Sequence, residues 1–350
     1  MTDAYAAAGV DTRQADAAVG ALVRVLEAVD PGRPRRTVEL PGHYASVLRI
    51  TDTLGIAIAT DGVGSKLVVA ERTGRLDTVG IDCVAMNVND LVCVGAEPIA
   101  LVDYLAVEQA DPSALEAIGR GLRIGAEQAG VEVPGGELAV LPELIRGHPS
   151  PHGFDLCATA IGTVDLEAIV TGRALAPGDA VVGVPSSGLH SNGYTLARRV
   201  LEPLGFETRP PELEGASIAD ALLEPTVIYV RAALELLRSG VPVHGLAHIT
   251  GGGVRNLLRL SAGAGFRLDD PLTPPPVYDL IARHGDVPAG ELYEVFNMGC
   301  GLAAIVPPAH AEQATAMLAA HHPGARPVGE VTDRAGTVEL PGRGLTLSGR

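Results

Sequence analysis

The chain places carboxylates where carboxylates are unusual. Asp61-Gly62-Val63-Gly64-Ser65-Lys66 follows the apolar run 55–60, and Asp82, Asn87, Asn89 and Asp90 interrupt a second apolar run, 79–91. Carboxylates seldom lie in apolar surroundings unless something offsets their desolvation. Two that face each other repel unless a cation sits between them. Mg²⁺ carrying phosphate fits, because it takes hard oxygen ligands from one or two carboxylates. The elements that hold them follow from spacing. Residues 55–60 are short, partly β-branched and followed by Asp61-Gly62, which predicts a buried strand. Residues 79–91 lack proline and exceed an ordinary strand, which predicts a helix. Asp82 and Asn89, seven positions apart, then share a face, with Asp90 just around from them and Asn87 off it. Taken singly, Asp61 reads as a helix cap and Asp82 and Asp90 as solvated charges. Their occurrence beside DGVGSK favours a cation and phosphate site.

Two later loops carry related chemistry. Ser186-Ser187-Gly188-Leu189-His190-Ser191-Asn192-Gly193 packs hydroxyls, an amide and an imidazole ahead of a helix. Backbone N–H groups at a helix start bind anions; the plain alternative is a polar turn with a cap. A Ser–His nucleophile pair has no identifiable acid partner. His248-Ile249-Thr250-Gly251-Gly252-Gly253 offers backbone amides that can cradle phosphate, although a triple glycine alone is a weak signal. None of these stretches fits Gly-x4-Gly-Lys-Ser/Thr or GxGxxG, so a bound nucleotide is not held in the P-loop or Rossmann manner.

The surrounding pattern is α/β. Val19, Leu22, Val23 and Leu26 have helical spacing, and residues 31–44 are basic and irregular. Strands are expected at 44–50, 55–60, 99–107, 154–164, 180–184, 243–250 and 299–306. Helices are expected at 112–130, capped by Asp111, and at 196–204, 224–239 and 310–321. Residues 143–153 and 207–219 read as loops, and 326–340 as edge strands. His148 and His152 lack further ligands and read as loop residues. A boundary near 165–178 divides the chain into residues 1–168 and 169–350, with a cleft between the halves as the default site.

Composition narrows the function. The chain has 350 residues, 47% of them hydrophobic, a length that suits one large or two medium domains. Aromatics are 3% and Trp is absent, so base-stacking surfaces are not expected. A net charge of −16 argues against nucleic acid or anionic membrane as partner, so a phosphorylated substrate needs local cations, metal or amides. Cys83, Cys93, Cys157 and Cys300 lack CxxC spacing and read as free thiols in a reducing cytoplasm. Residues 1–5 lack a basic, apolar leader pattern, and no apolar run reaches the length of a membrane span.

The motifs together resemble one family. ATDGVGSKL, DTVGIDCVAMNVNDL, GAEPIALVDYLA, SSGLHSNGY, LLEPTVIYV, HITGGG and YEVFNMGCG, in that order over nearly the whole chain, look like aminoimidazole ribonucleotide synthetase, the cyclo-ligase of purine biosynthesis. The resemblance implies a two-domain α/β fold (α+β in segregation), with N-terminal domains paired into a dimeric barrel and a C-terminal α/β domain on each side. It implies a homodimer that uses ATP and Mg²⁺ to close the imidazole ring of formylglycinamidine ribonucleotide, a small phosphorylated substrate. Carried over, Asp61 and Asp90 look like metal–phosphate carboxylates and Lys66 lies near phosphate. Gly62, Gly64, Asp82, Asn89, Glu137, Thr250, Gly251 and Gly252 line the nucleotide, and Ser186, Ser187, His190, Asn192 and His248 the substrate. His190 counts with Asp61, Lys66 and Asp90 among the catalytic group.

Two stretches depart from the family pattern. Its GGETAEMP turn reads here Gly135-Gly136-Glu137-Leu138-Ala139-Val140-Leu141-Pro142, with Glu137 kept. Its Gly-rich, GGFG-like loop, thought to fold over the nucleotide, is replaced by residues 35–44, RRTVELPGHY. Beside the cyclo-ligase these departures leave two other readings, a paralogue activating a different amide in specialised metabolism and a non-catalytic homologue.

Overall fold

The computed structural model describes residue 9 and residues 12–349; the leader expectation for residues 1–5 lies outside the described residues. The first half is built on β1 (Thr37–Val38), β2 (Ser46–Arg49), β3 (Leu54–Gly62), β4 (Glu97–Val107), β5 (Glu132–Val140) and β6 (Phe154–Asp165). They form one sheet in the order β1-β2-β3-β6-β4-β5, antiparallel except for β4 and β5, which are joined through the helix Pro112–Ala129. Along β3 the period of two puts Gly55, Ala57 and Ala59 in the core and leaves Ile56 and Ile58 half-buried on the other face. The helix Val79–Cys93 packs on this sheet and against the helix Pro112–Ala129. Glycine lets the two helices meet backbone to backbone: a Cβ on Gly80 would stand 2.3 Å from the Leu122 nitrogen, and one on Gly121 2.2 Å from the Asp77 oxygen.

The second half is built on β7 (Ala180–Pro185), β8 (Gly245–His248), β9 (Gly265–Arg267), β10 (Cys300–Val306), β11 (Arg326–Thr332), β12 (Thr337–Leu340) and β13 (Leu345–Ser348), ordered β13-β12-β9-β11-β7-β10-β8. β10, nearly all apolar, is buried along its length between β7 and β8, as an unbroken apolar run suggests. The mixed α/β fold with two halves is as expected. No helix among the described residues is long and apolar enough to cross a membrane.

Four expectations are corrected. Residues 326–340 are not edge strands, because β11 lies between β9 and β7 and β12 between β13 and β9. The flanking β9 and β13, three and four residues long, are too short to stand out in the sequence. β5 was not expected, since Pro134-Gly135-Gly136 reads as a turn; it is an exposed edge strand, where proline is tolerated. Residues 207–219 are not simply a loop, because Ser217 and Asp220 form a capping box that starts the helix Ile218–Leu223. The helix expected from residue 224 starts at Val230 instead, for a reason found in the site.

Candidate active-site cleft

The helix Val79–Cys93 reads the backbone of the second half. Asp82 Oδ1 accepts from the Thr226 N–H at 2.8 Å and from its hydroxyl at 2.6 Å. Asn89 donates to the Val227 carbonyl at 2.8 Å and accepts from the Tyr229 N–H at 2.9 Å. Seven helical residues rise about 10.5 Å, and three extended residues span about 10 Å. The two side chains on the shared face therefore meet Thr226 and Tyr229 in register. Residues 224–228 stay out of helix because these side chains occupy the polar groups of the stretch and because Pro225 disfavours helix at Glu224.

Lys66 completes this joint. Its Nζ lies 2.8 Å from Asp82 Oδ2 and donates to the Glu224 carbonyl at 2.7 Å and the His190 carbonyl at 3.1 Å. Three contacts occupy an ammonium's three protons. Burial draws its pKa down, while Asp82 and then Glu224 oppose that. The residue expected near phosphate thus sits inside the seam between the halves, and Asp82 sits there with it.

The 186–193 loop is held from below. Ser186 Oγ donates to Asn297 Oδ1 at 2.8 Å and Ser187 Oγ to the Pro225 carbonyl at 2.5 Å. Asn297 Nδ2 donates to the Gly188 carbonyl at 2.8 Å. His190 is fully buried at φ 60°, and its Nε2 accepts from the Ser187 N–H at 3.3 Å. The neutral ring therefore carries its proton on Nδ1, which has no partner. Burial, then His248 and Lys66, push its pKa well below the usual value. Only glycine fits at 301, where a Cβ would stand 2.0 Å from the Tyr229 hydroxyl and 2.6 Å from the His190 ring. Asn192 leans on Gly251, whose added Cβ would stand 2.9 Å from Asn192 Oδ1, so the 186–193 and 248–253 loops meet. Thr250 Oγ1 accepts from Asn256 at 3.3 Å, and Gly252 and Gly253 have φ 106° and 57°. Gly64, at φ 71°, turns the chain from β3 into the helix Lys66–Thr73.

Asp61 and Asp90 lie close enough to act on each other, and His248 of the second half holds Asp90, which is 18% exposed. Asp61 is the last residue but one of β3, with its Oδ1 accepting the Gly62 N–H at 2.7 Å and its carbonyl accepting from Asn87 at 3.1 Å. Loss of solvent raises its carboxyl pKa most; the Gly62 amide opposes, Asp90 adds to the rise, and His248 and Arg259 lower it. Asp90 Oδ1 lies 2.9 Å from His248 Nδ1, and His248 Nε2 lies 3.4 Å from Asn89 Nδ2. Donation from Nδ1 to Asp90 leaves Nε2 to accept from Asn89, which fixes one neutral tautomer of this buried ring. Among the described residues no three His, Cys, Asp or Glu side chains converge to hold a metal by themselves. Glu137 stands apart, exposed on β5 opposite Tyr104.

Sequence reasoning missed the residues that close the cleft beside Asp90. Residues 31–44 read only as basic and irregular, yet Arg259 donates to the Gly42 and His43 carbonyls, both at 2.9 Å, and lies 4.1 Å from the Tyr44 ring centre. Tyr44 Oη donates to the Asn256 carbonyl at 2.7 Å. Burial, then Arg259, lowers the His43 pKa to about 4 against the pull of Asp90. The one local signal was His43-Tyr44, two rings directly after Pro41-Gly42. Asp103 was also passed over. It stands in one cross-strand row with Ala158 and Asp61, and burial raises its carboxyl. A cavity of about 650 Å³ lies between residues 107–118 and 151–154 and includes none of these residues.

The chain is similar to known proteins over most of its length. Residues 42–164 match the AIR synthase related protein, N-terminal domain, and residues 176–340 the AIR synthase related protein, C-terminal domain. The phosphoribosylformylglycinamidine cyclo-ligase of Methanothermobacter thermautotrophicus is 48% identical over 338 residues, 96% of each chain. That of Thermococcus kodakarensis is 48% identical over 91% of this chain and 92% of its own. Among solved structures, AaThiL complexed with AMPPCP and TMP has a TM-score of 0.65 at 16% identity, covering 93% of each chain. Hydrogenase maturation protein HypE in complex with ATP has a TM-score of 0.61 at 22% identity, covering 87% of this chain and 88% of its own. At such identities the structural likeness shows the fold alone.

Proposed function

The chain belongs to the AIR synthase related protein family, and from that premise we infer that it is an ATP-dependent cyclo-ligase of de novo purine biosynthesis. It closes the imidazole ring of formylglycinamidine ribonucleotide to give aminoimidazole ribonucleotide, ADP and phosphate. The observation that carries the reading is its 48% identity to a curated cyclo-ligase along 96% of both chains. The replaced glycine loop and the altered 135–142 turn do not outweigh that likeness, which extends over 338 residues of the chain.

In this reaction the γ-phosphoryl group of ATP passes to the formyl amide oxygen. An internal nitrogen then attacks the activated carbon, and phosphate leaves. Phosphorylation turns a poor oxide leaving group into a good one. The donor set fits Mg²⁺. Asp61 and Asp90 offer hard oxygens, Asp90 raises the cost of charge on Asp61, and with only two carboxylates the remaining positions would fall to phosphate and water. When bound there, Mg²⁺ offsets charge on the transferring phosphoryl group. The chain's own residues do the positioning. His248 orients Asp90 through its Nδ1–H, which would fix the direction of a carboxylate oxygen offered to the metal. The amides of residues 250–252 would hold phosphate oxygens beside the turn at Gly62–Gly64, and Asn192 would hold the substrate side against Gly251. Lys66, Asp82 and Asn89 act one layer below, fixing the two halves at the separation the cleft needs.

The functional unit is a homodimer. Ile99, Val102 and Tyr104 on β4 are 42%, 46% and 40% exposed, and Ile56, Ile58 and Ile161 are only half-buried. A contiguous apolar sheet face of this kind calls for a partner, and pairing two such faces supports the dimeric barrel and leaves Glu137 at its edge. Four free cysteines suit a reducing cytoplasm. Rescue of a purine auxotroph lacking its cyclo-ligase tests the reading: growth without added purine is expected, and failure of a well-expressed chain to support growth contradicts it.

A further inference from the structure

His43 carries a nitrogen that nothing in the fold satisfies. The Tyr44 N–H donates to its Nδ1 at 3.1 Å, so the neutral ring bears its proton on Nε2. That Nε2 is buried and has no partner. Folded proteins leave few such donors unmet, and the exceptions need a reason. The segment around it is fixed on three sides. Arg259 grips the Gly42 and His43 carbonyls and covers the Tyr44 ring, and the Tyr44 hydroxyl is tied to Asn256.

The surroundings suit an anion. Arg259 and Asp90 are the charges that act on the ring. A cavity of about 380 Å³ has Gly42, His43, Arg173 and Arg259 in its wall, with Glu39 as its acidic member. A second cavity, about 610 Å³, shares Arg259 and reaches Gly251, Gly252 and Arg255. Phosphate is the anion that the proposed reaction brings to this cleft in both of its substrates.

We propose that His43 is a ligand-binding residue whose Nε2–H donates to a phosphate oxygen, of the nucleotide or of the phosphorylated substrate, beside Asp90. This rests on the cyclo-ligase reading and goes beyond it. It assigns to one fixed side chain of the docked 40–44 segment a contact that a mobile glycine loop would make with backbone amides. A neutral imidazole suits the task, since it supplies a donor without burying a further charge.

Two substitutions separate ligand binding from structure. His43→Asn keeps an acceptor near the Nδ1 position for the Tyr44 amide and removes the Nε2 donor. His43→Gln reaches the Nε2 position with an N–H. Steady-state KM is measured for ATP and for formylglycinamidine ribonucleotide separately, and calorimetry follows binding of ADP with Mg²⁺ and of ribose 5-phosphate. His43→Asn raises KM about 10- to 100-fold for one of the two substrates, as loss of a hydrogen bond to a charged group does. His43→Gln recovers most of that loss, and the ligand-free thermal midpoints stay close to wild type. The substrate whose KM rises names the phosphate that His43 touches. Wild-type KM for both substrates in His43→Asn, or no recovery in His43→Gln, overturns the proposal while leaving the cyclo-ligase reading intact. If the wild-type chain forms no product, that reading fails instead. The two calorimetric probes then decide His43 alone: unchanged affinity for both in His43→Asn overturns it.

Discussion

Lys66 Nζ and Asp82 Oδ2 stand 2.8 Å apart with neither side chain exposed, and each also grips the second half of the chain. A buried pair of this kind is dangerous to break from one side, because the remaining charge has lost its water as well as its partner.

Lys66→Met therefore costs about 3–5 kcal/mol of stability, although Lys66 touches no open part of the cleft. Urea unfolding followed by circular dichroism reads this directly. A midpoint equal to wild type would show that the pair contributes nothing to holding the halves together.

Acid acts on the buried histidines. The folded pKa values of His190 and His43 lie below the ordinary histidine value of about 6.5. The unfolded chain then takes up protons that the folded chain refuses, so stability is full above about 6.5 and is lost as pH falls. For His43 the loss runs down to about 4. The raised carboxyls of Asp61, Glu71 and Asp103 act in the opposite sense nearer their own range. Ligand-free unfolding midpoints measured from pH 7.5 to 5.5 should fall, and both rings should stay neutral by NMR at pH 6. An His190 ring that titrates above pH 6 would contradict the assignment.

Asp61→Asn and Asp90→Asn keep shape and remove charge. Each lowers ATP turnover by roughly two to three orders of magnitude, a loss comparable to removing one preorganised electrostatic group, with the circular dichroism spectrum unchanged. Near-normal turnover in both variants would remove these carboxylates from the metal and phosphate site.

Much of this was legible because periodicity is local. The helix at 79–93, expected over 79–91, follows from the length of an apolar run without proline, the shared face of Asp82 and Asn89 and the position of Asn87 off it from the 3.6-residue turn, and the strand before Asp61 from a short, partly β-branched run. What that face touches was not legible. The partners of Asp82 and Asn89 lie about 140 positions away in an extended stretch that reads as helix by propensity. Lys66 was placed near phosphate only by the family resemblance, and no local pattern announces that a carboxylate and two carbonyls will enclose it. His43 and Tyr44 were hidden for the opposite reason. Their order comes from Arg259 and Asn256, more than 210 positions on, while Gly and Pro make their own stretch look loose.

The sheet face carries its own prediction. Val102→Glu and Ile161→Glu place charge on the face proposed to pair, so each yields monomers, whereas the wild-type chain is a dimer with an interface above roughly 2,000 Å². Light scattering at micromolar concentration measures this. A monomeric wild-type chain, or variants that remain fully dimeric, would count against the barrel.

The most direct test is a product balance. With formylglycinamidine ribonucleotide as sole acceptor, ATP and Mg²⁺, the account predicts one aminoimidazole ribonucleotide formed for each ADP released, with little ADP released when the acceptor is left out. ADP release that ignores the acceptor, or that proceeds without ring closure, would contradict the assignment of this chain as a purine cyclo-ligase.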